Sequence, residues 1–342
     1  MMNQTFVCCS TYHVYISILE AYKHKHEGYE SVLIFLDDMI ENIGEFVDNV
    51  EKLGVFKRVL RIKGYTIVRN LRSKYNFWRY YTQRSGIYID LYEKHNPELL
   101  EIHEFMANSE LNLFRIDRTR AYFLIKYKKN FFRMYEDGYG TYNQKLPPRH
   151  RRFNRKYITK FPLLKGHDPQ VKEVLVSDPS KMTDKALIPK VKKLDLLQLE
   201  SNLTDGEKEA MLNTMLGDIS LKREKATIII TQPLFEDHFC TEEVKIMLYK
   251  EIIDAELAAG NLVYIKTHPR ERTVYPFADP QIIYLPKFFP LEIFNLNTNL
   301  RIEKAISFFS TALFNLKHVD DKQLLGEDYL KERILQINRG LA

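Results

Sequence analysis

Short apolar runs rich in β-branched and aromatic residues alternate along the chain with longer stretches of helical period, the pattern of parallel strands joined by crossover helices. Residues 5–9 (TFVCC), 31–36 (SVLIFL), 57–62 (KRVLRI), 86–92 (GIYIDLY) and 112–117 (NLFRID) read as strands, and the run 131–138 (FFRMYEDG) ends another. Between them, 15–25 and 40–53 read as helices. The later part keeps the same style, with strands at 172–177, 226–231, 262–267, 281–285 and 304–309 and a long helix over 242–260 that Gly260 closes. No periodic repeat of the solenoid kind is present.

A chain of 342 residues exceeds what one hydrophobic core usually fills, which favours two domains. The composition shifts over 145–170, where Pro, Arg and Lys crowd together with no acidic residue before Asp168. Placing the linker there gives an N-terminal domain over 1–160 and a C-terminal domain over 161–342, whose last helix is expected to pack back on the first. The expected fold class is α/β, with two Rossmann-like domains facing a central cleft at the carboxyl ends of their sheets.

The first twenty residues lack a basic start, and Tyr12 and His13 interrupt their apolar run, so they read as a strand and helix rather than a secretory leader. No stretch reaches the roughly 20 apolar residues that span a bilayer. The formal charge of +6 points to an anionic partner without naming it. Cys8, Cys9 and Cys240 form no disulfide framework and no metal-ligand spacing, which fits a reducing cytoplasm.

Four strand ends carry candidate chemistry. In 134–142 (MYEDGYGTY), Glu136 and Asp137 end a strand where Gly138 permits a tight turn, and either carboxylate suits a general base as well as a solvated turn. In 228–239 (IIITQPLFEDHF), Gln232 and Pro233 stop the strand and bring Glu236, Asp237 and His238 into a loop, though Thr241 with Glu242 also reads as an ordinary helix cap. In 264–271 (YIKTHPRE), His268 directly follows a strand and precedes Pro269. An imidazole there can protonate a phosphate leaving group or hold positive charge, with Lys266 and Arg270 adding to the field. In 304–316, Ser310 and Thr311 open what reads as a helix, and hydroxyls with free amides suit a phosphate as well as a plain N-cap. The chain has no P-loop, no G-x-G-x-x-G, no H-E-x-x-H, no G-x-S-x-G and no D-x-D at a strand end, so a bound nucleotide phosphate would be neutralised by histidine, lysine, hydroxyls and helix dipoles.

In their order, Glu136-Asp137-Gly138, His268-Pro269 and Ser310-Thr311 resemble the D/E-D/E-G, H-P and S-S/T motifs of bacterial sialyltransferases with the GT-B architecture. The similarity is greatest to the lipooligosaccharide sialyltransferases, glycosyltransferase family fifty-two, with the bacterial polysialyltransferases more distant. It runs over roughly residues 3–320. The resemblance implies an inverting, metal-independent transfer of sialic acid from CMP-sialic acid to a galactose-type hydroxyl of a capsular polysaccharide or lipooligosaccharide, with no cofactor. It implies His268 as general acid or cationic partner of the departing phosphate, and Ser310, Thr311, Gln232, Lys266 and Pro269 on the donor side. Glu292 would bind the ribose, and the base would be Glu136, Asp137 or, from the other domain, Asp237.

A homodimer and a cytoplasmic location at the inner membrane face complete the expectation, with the basic segment 145–160 drawn to anionic head groups. Two alternatives stand beside it. One is another nucleotide-dependent GT-B-like transferase or epimerase. The other is a nucleic-acid-binding protein, for which the basic and aromatic run 69–84 around Trp78 speaks, although it matches no known binding module.

Overall fold

The computed structural model describes residues 3–36, 43–64, 67, 84–142, 145, 148–153, 161–163, 165–217, 225–297 and 302–340, with Arg84, Tyr139, Arg151 and Thr311 described by backbone alone. The run 69–83 with Trp78, and 154–160 of the basic segment, lie outside the described residues. Two compact units divide the chain between Thr204 and Asp205.

The first unit is built on seven parallel strands: β1 (Asn3–Cys8), β2 (Glu30–Leu36), β3 (Arg58–Ile62), β4 (Ser109–Leu113), β5 (Phe132–Tyr135), β6 (Val171–Val176) and β7 (Val191–Lys193). Their order is β3-β2-β1-β4-β5-β6-β7. Strands covered on both faces must be apolar at nearly every position, and β2, ESVLIFL, is buried from Ser31 to Leu36. Its crossovers include α1 (Thr11–His26), α2 (Gly44–Lys52) and α3 (Arg84–His95), and α4 (Leu196–Ser201) packs on α1. The strand order reverses between β1 and β4, the place where open sheets of this kind leave a crevice at their carboxyl ends.

The second unit has five parallel strands, β8 (Ala226–Ile230), β9 (Leu262–Lys266), β10 (Ile282–Tyr284), β11 (Ile302–Ser307) and β12 (Val319–Leu324), in the order β10-β9-β8-β11-β12. Helices α5 (Asp205–Leu216), α6 (Glu242–Ala258) and α7 (Glu327–Asn338) belong to it. Its core joins Ile229, Val263 and Ile265 of the sheet to Leu248 and Ile253 of α6 and to Leu330 and Ile337 of α7. The switch point falls between β8 and β11.

Three expectations are corrected. Residues 86–92 form part of α3 rather than a strand, because Ile87, Tyr88, Leu91 and Tyr92 share one helical face and Ile87, Tyr88 and Tyr92 are buried. The domain boundary lies after Thr204 and not at 160, because β6 and β7 pair onto β5 and extend the first sheet beyond the basic segment. The helix expected at Ser310 is a five-residue 3₁₀ turn, Thr311–Asn315.

Candidate active site

In the second unit, the loops that follow β8, β9 and β11 emerge from adjacent parallel strands, so Gln232, His268 and Ser310 share one sheet edge. The loop after β9 is closed by Glu271, a fully buried carboxylate. It accepts from the His268 amide at 2.9 Å, the Thr231 hydroxyl at 2.5 Å and the Tyr275 hydroxyl at 2.8 Å, and pairs with the buried Lys245 ammonium at 3.1 Å. Those bonds tie the ends of β8 and β9 to α6, fixing the backbone on which His268 stands.

The imidazole of His268 is half-buried, and its Nδ1 accepts from the Arg270 amide at 3.1 Å. That bond assigns the proton of the neutral ring to Nε2. Burial, with Arg270 and Lys266 adding like charge, pushes its pKa down to about 4, so the ring is neutral at pH 7. Arg270 holds both oxygens of Asp237 at 2.7 and 2.9 Å, which keeps that carboxyl below its usual range. Glu236 accepts from the Arg272 amide at 2.6 Å and from Lys245 at 3.1 Å.

Lys266 is almost wholly buried, donates to the Thr267 and Lys287 carbonyls at 3.0 and 2.7 Å, and lies 4.8 Å from the centre of the Phe289 ring. Burial pushes its pKa down to about 7, against the opposing charge of Glu271. Gln232 is buried, donates its backbone amide to the Tyr249 hydroxyl at 2.7 Å, and turns its side-chain amide onto the Thr231 carbonyl at 3.2 Å. Glu292 is buried in the 3₁₀ segment Leu291–Leu296 and accepts from Asn315 at 2.8 Å, which joins it to the turn that Ser310 opens. The Ser310 hydroxyl caps that turn through the Ala312 amide at 3.4 Å, and its own amide meets the Ser307 hydroxyl at 3.3 Å. Pro269 follows His268 in the loop that Glu271 closes.

In the first unit, Glu136 and Asp137 leave β5 in opposite circumstances. Glu136 is buried and accepts from Tyr12 at 3.0 Å, Tyr142 at 2.6 Å, the Ser177 amide at 2.9 Å and the Ser177 hydroxyl. Asp137 is about one-third exposed, with Oδ1 2.9 Å from His13 Nε2 and Oδ2 3.7 Å from Arg115. Burial opposes its ionisation, yet His13, Arg115 and Arg120 together hold its carboxyl below the usual range. Gly138 takes the positive φ of 67° that the turn requires, and the Thr141 hydroxyl accepts from the Asp137 amide at 2.8 Å.

Residues 105–325, well over half of the chain, match the sequence pattern of glycosyltransferase family 52. The chain belongs to glycosyltransferase family 52. The matched span holds Glu136, Asp137, Asp237, His268, Glu292, Ser310 and Thr311, while Cys9 and His13 lie before it. An uncharacterized protein of Haemophilus influenzae is 33% identical to this family 52 chain over 195 residues, which are 56% of the chain and 61% of that relative's length. Among solved structures, the UDP-GlcNAc 2-epimerase of Methanocaldococcus jannaschii has a TM-score of 0.49 at 10% identity, covering 99% of this chain and 93% of its own. CalG4, the calicheamicin glycosyltransferase, has a TM-score of 0.44 at 11% identity, covering 100% and 94%.

Several residues that organise these loops escape a reading of the letters alone. Glu271 sits three residues after His268 in a charged run where any of Arg270, Glu271 or Arg272 would look solvated. Lys245 lies on the buried face of α6. His13 was visible as a polar break in an apolar helix, the one signal that marked it.

Proposed function

We propose that this glycosyltransferase moves sialic acid from CMP-sialic acid to a galactose-type hydroxyl of a bacterial surface glycan, with inversion and without a divalent metal. The observation that carries the proposal is the state of His268: a neutral ring whose Nε2 bears the proton, flanked by Arg270. A neutral imidazole of low pKa is a strong hydrogen-bond donor toward the oxygen on which charge develops as CMP leaves. Arg270 adds fixed positive field to the same loop, and Ser310 and Thr311 supply donors from the loop after β11, two strands away in the same sheet. Around His268 the acidic groups are taken: Asp237 by Arg270, and Glu236 and Glu271 by Lys245 and backbone amides. Such a set suits an anion better than a metal ion.

Glu292, held by Asn315, is proposed to meet the ribose. Asp137 is the proposed base. Glu136 is saturated by four donors and Asp237 has both oxygens on Arg270, whereas Oδ2 of Asp137 lies 3.7 Å from Arg115, beyond hydrogen-bond distance. A carboxylate held below its usual pKa is ionised at pH 7 and ready to receive the acceptor proton.

The test is a mixture of protein, CMP-sialic acid and a lactose-type acceptor in EDTA, reading CMP release and sialylated product beside His268→Ala. Product that survives the chelator and collapses in the variant is the expected result. Absence of CMP release with every galactose-ended acceptor, together with no rise in melting temperature on adding CMP, would overturn the donor assignment.

A further inference from the structure

At the switch point of the first sheet, between β1 and β4, stands a second group of reactive side chains that the transfer chemistry does not fully use. Cys9 follows β1 and precedes Ser10, the N-cap of the sixteen-residue α1. The half-buried Cys9 Sγ lies 3.5 Å from His13 Nδ1, and the Cys9 amide donates to the same nitrogen at 3.3 Å. An Nδ1 that accepts an amide proton carries a lone pair, so the ring proton sits on Nε2, where Asp137 Oδ1 receives it at 2.9 Å. Phe114 stacks on the imidazole with centroids 4.4 Å apart and fixes the ring plane. The arrangement is a thiol beside a histidine lone pair, with a carboxylate selecting the tautomer.

Arg120 adds positive charge that acts on Cys9 and Asp137. Its side chain is 4% exposed, bonds Asp117 through Nη1 at 2.8 Å, and has an Nε with no hydrogen-bond partner among the described residues. We propose that Cys9, His13 and Asp137 form a thiol-activating triad, and that Cys9 is a site of covalent modification by small electrophiles, hydroperoxides in particular. His13 Nδ1 takes the thiol proton. The thiolate attacks one oxygen of hydrogen peroxide, an S–O bond forms as the O–O bond breaks, and the departing hydroxide takes the proton back from His13 and leaves as water. Sulfur is oxidised by two electrons to the sulfenic acid, and the peroxide is reduced.

The electrostatics agree with the geometry. Burial raises the cost of the Cys9 thiolate, but His13 and Arg120 outweigh it and hold the thiol below its ordinary value, with Asp137 opposing. Burial likewise disfavours protonated His13, while Cys9 and Asp137 raise it. The positive end of α1 acts in the same direction as Arg120. The neighbours differ: Cys8 is fully buried against Ser17 and driven far up by desolvation, and Cys240 is pushed up to about 11. The three cysteines of one molecule therefore serve as their own controls.

The experiment uses the full chain without sugar nucleotide, so its outcome is independent of the transferase assignment. Iodoacetamide is applied at a series of pH values and alkylation of each cysteine is read by mass spectrometry. A parallel sample receives hydrogen peroxide followed by dimedone. At pH 6.5 Cys9 is expected to react at least about tenfold faster than Cys240, with the dimedone adduct on Cys9. His13→Gln and Asp137→Asn are expected to slow Cys9 and shift its profile upward, and the wild-type profile alone decides the matter if a variant does not fold. A Cys9 rate that rises through an ordinary thiol titration near pH 8.5, or that does not exceed that of Cys240, would overturn the triad. Fast alkylation with no dimedone adduct would overturn the hydroperoxide chemistry.

Discussion

His268 carries two effects, on stability and on transfer, that a single substitution removes together. A histidine whose folded pKa of about 4 lies below its ordinary 6.5 binds its proton more readily when the chain unfolds, so acid favours unfolding between those values. The stabilising contribution is fully present above pH 6.5 and is lost as pH falls toward 4. Thermal midpoints should drop across that window, and His268→Gln should flatten the slope while abolishing transfer. Asp137→Asn is expected to lower the transfer rate by about a hundredfold or more with CMP binding retained, as measured by initial rates beside calorimetric titration. Glu271→Ala leaves Lys245 and the His268 amide without their shared acceptor in the interior, and should cost about 3 kcal/mol in a urea titration. Of these three residues, the chain's letters pointed to His268 and Asp137, because each ends a strand at a turn or proline. Glu271 was hidden among neighbouring charges, since burial of one glutamate in R-E-R depends on Thr231 and Lys245 arriving from elsewhere in the chain.

At the scale of elements, β8 to β11 of the second unit were legible because their apolar runs are short, β-branched and bounded by turn residues, whereas β12, VDDKQL, is mostly polar and was missed. Helix α6 was legible at both ends, with Thr241 accepting from the Val244 amide at its start and Gly260 at a φ of 78° after its close. Thr241→Ala should therefore destabilise the protein by about 1 kcal/mol, read from the shift in denaturant midpoint. Two elements were misread for physical reasons. GIYIDLY has strand-like composition, and only the burial of Ile87, Tyr88 and Tyr92 on one face marks it as helical. Ser-Thr before an apolar run looks like the start of a helix, but the run ends at Asn315 after five residues.

At the scale of the whole molecule, both parallel sheets could be anticipated, whereas the limit between them could not. Proline and arginine mark exposed chain, and β6 and β7 show that such a stretch can lie inside a unit when later strands return to its sheet edge. If the second unit binds the donor, hydrogen exchange with CMP present should show protection over 231–240, 267–273 and 308–316 and little change in 3–36. Protection spread evenly over both units would contradict donor binding by the second unit alone. No helix among the described residues is long and apolar enough to cross a membrane.

The strand order of the second sheet has a consequence for descent. Gln232, His268 and Ser310 are each delivered by a different strand, and the sheet, not the chain between, sets their spacing. Crossovers can therefore lengthen or shorten from one homologue to the next while the three loops stay side by side. Selection is free to rewrite most of the letters between them, and a lineage can drift far in sequence while keeping these three loops at the same sheet edge.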